Sequence, residues 1–187
     1  VAVTHKLIYV TGNPFKLAVA ERALAGSGIV LVQRDLDAPE IQSDRVEDVA
    51  IYAGEWACRR LGEPVVVTDG GFYIEALNGF PGPFVKFVNQ WLTAQDLLDL
   101  VQGKDDRRIV ARDCLAYCRP GKEPVTFRGS YPGRMPAAPG GEEGWPMDRV
   151  FIPDGYTVPA SDLSAEERLT YWSRADVWVH LRRFLGV

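Results

Sequence analysis

Three groups of residues carry side chains and spacings suited to chemistry on an anionic substrate. The first is Thr11-Gly12-Asn13-Pro14-Phe15-Lys16. It follows a short β-branched run, Lys6-Leu7-Ile8-Tyr9-Val10, and Pro14 with Asn13 before it suits a helix start. A helix N-terminus offers unbonded N–H groups and the positive end of the helix dipole, so it favours an anion. Thr11 and Asn13 add neutral donors, and Lys16 adds a full positive charge. The G-x-x-x-x-G-K-[ST] pattern of a Walker A loop is absent. The same six residues also fit an ordinary capped helix with a surface lysine.

The second group is the pair Glu40 and Asp69. Glu40 lies in Asp37-Ala38-Pro39-Glu40-Ile41-Gln42, which reads as a loop. Asp69 follows the buried run Val65-Val66-Val67-Thr68, and Gly70-Gly71 after it predicts a sharp backbone break. Magnesium is held by a few carboxylates together with water and substrate phosphates, and two acids from separate loops meet that need. Either acid alone also reads as a solvated charge. The third group is Gly144-Trp145-Pro146-Met147-Asp148 with Arg168, Ser173 and Arg174. Aromatic and sulfur side chains stack on a base, Asp148 accepts from base N–H groups, and the arginines donate. The competing reading is a loop around a core tryptophan and a helix with charged faces.

The elements that must position these groups alternate early. A strand over 6–10 leads to a helix from Pro14, with Phe15, Val19 and Ala23 on one apolar face. A strand at 29–32, a helix over 46–61 and the strand at 65–68 follow. The turn cluster Gly79-Phe80-Pro81-Gly82-Pro83 precedes a helix through Trp91 and another over 94–102. Two strands, 108–119 and 124–134, flank the hairpin loop Pro120-Gly121-Lys122-Glu123. Residues 136–144 form a Pro/Gly-rich loop, and Ser164-Ala165-Glu166-Glu167 fits a capping box that opens a helical tail. The class is α/β or α+β.

Composition narrows the field. The chain has 187 residues, suiting one domain or two lobes sharing one core. A net charge of -4 argues against a general nucleic-acid binder, while a local cationic pocket for a small anion remains open. Cys58, Cys114 and Cys118 do not make a disulfide framework. With only His5 and His180 beside them, they read as core thiols rather than a zinc site. No apolar run approaches a membrane span, the first six residues lack a signal-peptide core, and a cytoplasmic location is the expectation.

Together the segments resemble the inosine triphosphatase family, the HAM1-like non-canonical purine triphosphate pyrophosphatases. Thr11 to Lys16 is similar to the family's T-x-N-x-x-K, and Asp37 to Gln42 to its D-x-x-E-x-Q. Thr68-Asp69-Gly70-Gly71-Phe72 followed by Ala76-Leu77-Asn78-Gly79-Phe80-Pro81-Gly82 is similar to an acid-bearing strand end and A-L-x-G-x-P-G. Asp148-Arg149-Val150-Phe151-Ile152-Pro153-Asp154-Gly155 is similar to D-P-x-F-x-P-x-G. The four motifs stand in family order.

The resemblance implies an elongated mixed β-sheet in two lobes flanked by helices, as one domain over 1–187, with the active site in the cleft between the lobes. It implies hydrolysis of a purine nucleoside triphosphate to monophosphate and pyrophosphate with Mg2+. Thr11, Gly12, Asn13, Phe15, Lys16, Gly70 and Lys86 would hold the triphosphate. Glu40 and Asp69 would hold the metal, with Asp69 the base for the attacking water. Trp145, Met147, Asp148, Arg168, Ser173 and Arg174 would recognise the base. The implied partners are a small nucleoside triphosphate and a second copy of the chain, with no nucleic-acid polymer and no membrane.

Three positions depart from the family. Ala53 stands where a lysine is usual, sixteen residues before Asp69. Met147 replaces the aromatic directly before the aspartate, and Ser173 stands where S-H-R has its histidine. Serine both donates and accepts, so the expectation is a base preference shifted toward an adenine-type or sugar-modified nucleotide of a specialised pathway. A catalytically silent nucleotide binder and an unrelated α/β enzyme are the competing readings.

Overall fold

The computed structural model describes residues 5–174 and 176–187. The reading of residues 1–4 as lacking a leader lies outside the described residues. The fold is mixed α/β, with the sheet order β2-β1-β3-β5-β6-β7 and β4 paired to β3. The chain divides into two compact units, and β3, β5 and β6 each contribute to both.

The first unit comprises residues 1–69, 113–129 and 169–187. β1 (His5–Val10) pairs in parallel with β2 (Ile29–Arg34) over its whole length, and in parallel with β3 (Val65–Ile74) at Ile8 and Tyr9. Crossover helices make parallel pairing possible: α1 (Pro14–Ala23) links β1 to β2, and α2 (Val46–Leu61) links β2 to β3. The helix start at Pro14 and the end at Gly62 (φ +67°) are where the sequence puts them. The buried side of α1 differs from expectation. Ala20 and Leu24 are buried at 0% and 3%, whereas Phe15 is 41% exposed, so a different i, i+4 pair faces inward.

α2 packs through small residues, Ala50, Ala53, Gly54 and Ala57. A Cβ at Gly54 would stand 2.6 Å from the Cys118 sulfur of β5 (Arg108–Cys118), so only glycine lets the helix lie this close. On α6 (Asp176–Leu185), Trp178 meets Tyr9 edge-on at 5.2 Å, and Phe184 meets Tyr117 of β5 and Phe127 of β6 (Val125–Arg134). All three cysteines are free and buried. Burial, with Glu47, Asp113 and Asp69 adding repulsion, pushes the Cys114 thiol up to about 12, and burial does the same for Cys118. Both stay protonated, as core thiols do.

The second unit comprises residues 70–112 and 130–168. β3 enters it without interruption, so the predicted break at Gly70-Gly71 is wrong. Gly71 is required for another reason: a Cβ there would stand 2.5 Å from the carbonyl oxygen of Gly82 in β4 (Pro81–Gly82), its antiparallel neighbour. α3 (Val85–Trp91) and α4 (Ala94–Asp99) follow. α4 stops three residues short of the predicted 102, in a run of turns, after a Thr93–Asp96 capping box. β6 pairs antiparallel with β7 (Ile152–Pro153), and α5 (Ala165–Trp172) begins after the predicted Ser164–Glu167 box. The core here holds Ile74, Leu97, Val101, Ile109, Met147 and Phe151, with Phe72 edge-on to Phe151 at 5.2 Å. Among the described residues, no helix is long and apolar enough to cross a membrane.

Candidate active site

β1 ends against β2, and this fixes the Thr11 loop. The Thr11 N–H donates to the Arg34 carbonyl at 2.9 Å, and Gln33 Nε2 donates to the Thr11 carbonyl at 2.9 Å. A Cβ at Gly12 would stand 2.6 Å from an Asp35 carboxylate oxygen, so the loop passes close to the end of β2. Asn13 Oδ1 accepts from the N–H groups of Phe15 (2.9 Å) and Lys16 (3.2 Å), which is the predicted N-cap.

The cap changes which groups are left to bind an anion. Those two amides are taken by Asn13, and the Asn13 N–H is itself bonded to Thr11 Oγ1 at 3.1 Å. The side-chain donors in the loop are the Thr11 hydroxyl, the Asn13 amide nitrogen and the Lys16 ammonium. Of the free N–H groups expected at this helix start, those of Phe15 and Lys16 are therefore occupied by the cap.

Lys16 also joins α1 to the strand that carries Asp69. Its Nζ donates to the Thr68 carbonyl at 3.0 Å, one residue before Asp69. The sequence reading missed Thr68. Its Oγ1 lies 2.6 Å from the hydroxyl of buried Tyr9, whose phenol burial holds well above its usual pKa. Tyr9 and Thr68 thus tie β1 to β3 at the residue that accepts from Lys16 and precedes Asp69. Glu40 is exposed in the coil between β2 and α2, where Asp37 takes a positive φ of +48°, a conformation aspartate tolerates. Among the described residues, no three of His, Cys, Asp and Glu gather as a metal cage. Ser173 and Arg174 also belong to this unit, just after α5; the Ser173 hydroxyl donates to the Thr170 carbonyl at 3.2 Å.

The second unit carries the remaining candidates. Gly70 lies inside β3, and Lys86 is exposed on α3. Gly144 turns with a φ of +96°, and Trp145 after it is 61% exposed. Met147 is fully buried, and its N–H donates to Asn89 Oδ1 at 3.0 Å. Its side chain is core, so Trp145 is the exposed ring of this loop. Asn89 was missed because no pattern marks an amide in a short helix as the acceptor for a loop 58 residues away.

Asp148 opens a short 3-10 turn (Asp148–Val150), with its N–H on the Trp145 carbonyl at 2.9 Å. Burial raises its carboxyl pKa, against the opposing pull of the Arg168 guanidinium and a bond from the Trp145 backbone. Arg168 Nε is buried and makes no hydrogen bond to the described residues.

Comparison with known proteins matches the chain to one family. The Ham1 family model matches residues 7–184. The dITP/XTP pyrophosphatase of Methanopyrus kandleri is 41% identical over 163 residues, covering 87% of each chain. That of Pyrobaculum aerophilum is 37% identical, covering 94% of this chain and 93% of its own. Among solved structures, a HAM1 protein from Coxiella burnetii superposes with a TM-score of 0.80 at 22% identity, over 97% of this chain and 98% of that one. A nucleoside-triphosphatase, dITP/XTP pyrophosphatase, from Mycobacterium abscessus gives 0.70 at 26% identity, over 97% and 96%. With its motifs in family order, a family model spanning nearly its whole length and relatives above 30% identity, the chain belongs to the Ham1 family.

Proposed function

We propose that this chain is a nucleoside triphosphate pyrophosphohydrolase that converts a purine triphosphate and water to the monophosphate and pyrophosphate. The observation that carries the reading is the Lys16 ammonium held on the Thr68 carbonyl, one residue from Asp69. It ties the proposed phosphate-binding cation on α1 to the strand residue next to the proposed carboxylate base. Family membership and the names of the curated relatives, dITP/XTP pyrophosphatase, point to the same reaction class.

In this reading Thr11, Asn13 and Lys16 hold phosphate oxygens through side-chain donors. Gly12, Phe15 and Gly70 shape the path of the phosphates, and Lys86 adds a second cation. Asp69 takes the proton of the attacking water as its oxygen bonds to the α-phosphorus. The bond from that phosphorus to the bridging oxygen breaks, and pyrophosphate leaves. Glu40 and Asp69 fit Mg2+, which favours one or two carboxylates completed by water and substrate phosphates over a closed cage of protein ligands. When bound, the metal neutralises phosphate charge and makes water more acidic.

The finer part of the proposal concerns the base. Trp145 stacks on it, Met147 supports that loop from the core, Asp148 accepts, and Arg168 and Arg174 donate. Ser173 already spends its proton on the Thr170 carbonyl. Its free lone pairs therefore suit a donor such as a 6-amino group better than a 6-carbonyl. The expected result is a base preference shifted toward adenine-type nucleotides relative to dITP and XTP.

The test is product analysis with Mg2+ and a panel of ITP, XTP, dITP, GTP, ATP and a sugar-modified ATP. Monophosphate plus pyrophosphate, abolished in Asp69→Asn, establishes the reaction. Monophosphate without pyrophosphate, or binding without turnover, overturns it. In the same panel, strong preference for ITP over every adenine nucleotide sinks the base assignment and leaves the reaction class standing.

A further inference from the structure

The loop of residues 136–144 ends on Trp145, and one residue is bonded to it through both backbone and side chain. The Arg149 N–H donates to the Trp145 carbonyl at 3.3 Å, at the loop's C-terminal end. The Gly140 N–H donates to the Arg149 carbonyl at 2.8 Å, and Arg149 Nε donates to the Gly140 carbonyl at 3.2 Å. A single residue is therefore bonded to both ends of the segment 140–145.

A second anchor acts from the other side. Asp162 Oδ1 accepts from the Gly141 N–H at 2.6 Å and from Ser161 Oγ at 3.1 Å. The short turn carrying it (Ala160–Asp162) is tied to the core by the Ala160 N–H on the carbonyl of fully buried Phe151, at 2.8 Å. The fit is close: a Cβ at Gly140 would lie 2.5 Å from Ser161 Oγ, and one at Gly141 would lie 2.7 Å from Asp162 Oδ1. A side chain at Gly140 would press on Pro159 and Ser161, and one at Gly141 would displace the Asp162 carboxylate.

We infer that Arg149 is a positioning residue for base recognition: its side chain pins the Gly140 end of a segment whose Trp145 end its own backbone N–H holds, and so sets where Trp145 and Asp148 stand. The inference rests on the proposal that those two residues meet the base. A loop ordered before binding does not have to be ordered by the ligand, so its loss is felt in affinity rather than in the chemical step. Arg149 stands in the second position of the D-P-x-F-like motif, where its side chain adds a bond that proline lacks.

The test compares Arg149→Ala, Arg149→Lys, Asp162→Ala and Trp145→Ala in the full chain, with thermal midpoints measured beside kinetics. Arg149→Ala is expected to raise KM for the preferred triphosphate about fivefold, the loss of one hydrogen bond, with kcat nearly unchanged. The ratio of kcat/KM between ITP and ATP should move toward one, and inhibition by inorganic tripolyphosphate should not change. Arg149→Lys keeps the charge without the Nε and should behave as the alanine variant does. Arg149→Ala combined with Asp162→Ala should cost less than the product of the two, because both release one loop.

A folded Arg149→Ala with normal KM and normal base ratio overturns the inference, as does an Arg149→Lys variant equal to wild type. If Arg149→Ala does not fold, Asp162→Ala decides: the same pattern supports the clasp, and normal values overturn it. Trp145→Ala separates the two levels. If it leaves the base ratio untouched, the base-site reading falls and the inference with it. If it changes the ratio while Arg149→Ala does not, only the clasp is lost.

Discussion

The Thr11 loop and the Trp145 loop differ in how much regular structure frames them. The first sits where β1, α1 and β3 meet: strand pairing and the Asn13 cap frame it, and two side chains distant in sequence, Gln33 on the Thr11 carbonyl and Lys16 on the Thr68 carbonyl, fasten it. The second is irregular, and side chains distant in sequence hold it: Asn89 on Met147, Arg149 on Gly140 and Asp162 on Gly141. Phosphates are the same in every nucleotide, so a rigid, secondary-structure frame suits them. The base varies, and a loop set by exchangeable side chains can be re-aimed without disturbing the frame.

This contrast is sharpest at Asp69. Asp69→Asn should lower kcat by roughly 100- to 10,000-fold, the usual span for removing a general base, with the ranking of bases unchanged. Pyrophosphate release across the triphosphate panel measures both, and a changed ranking would break the separation of the two regions. Next in size, Lys16→Ala should cut kcat/KM about 10- to 100-fold through the lost charge-assisted bond, by the same factor for every base. A factor that depends on the base would place Lys16 outside the phosphate half.

Trp145→Ala should cost about tenfold in kcat/KM, as stacking on an aromatic ring is worth about 1–3 kcal/mol per base, with inhibition by tripolyphosphate intact. The smallest effect concerns pH. The raised pKa of Asp148 means that its carboxylate becomes neutral on acidification at a pH above the ordinary value of 3.8. Base affinity that depends on the ionised form should weaken as pH falls through that raised value, and Asp148→Asn should remove the dependence. Stability runs the other way. A carboxyl with a raised folded-state pKa contributes stability below its unfolded value and loses it as pH rises through the folded one. Asp148→Asn should therefore raise the thermal midpoint at neutral pH relative to wild type and not in acid. Midpoints that move together at both pH values would show that burial of this charge is not the cause.

Much of the fold was legible because its signals are local. Asn13-Pro14, Gly62, the Ser164–Glu167 box and the β-branched run 65–68 each act through bonds within a turn or a strand, and each stands as read. The misreadings came where distant neighbours decide. Gly70-Gly71 looks like a break, yet β3 continues through it, and the close approach of Gly82 accounts for the glycine at 71. Phe15 looks like part of an inward face, but the sheet beneath α1 takes Ala20 and Leu24 instead.

By itself the sequence determined the order of the longer elements, though not the short strands β4 and β7, together with the capped loop around Lys16, the candidate acids Glu40 and Asp69, and the resemblance that names the family. Only the tertiary structure decided that Asn13 takes the amides of Phe15 and Lys16, that Lys16 rests on Thr68, that Met147 is core while Trp145 is exposed, and that Arg149 closes the loop. The reason is range: a cap or a strand run is encoded within a few residues, whereas a hydrogen bond such as Asn89 to Met147 exists only once packing has brought together two segments that no periodicity relates.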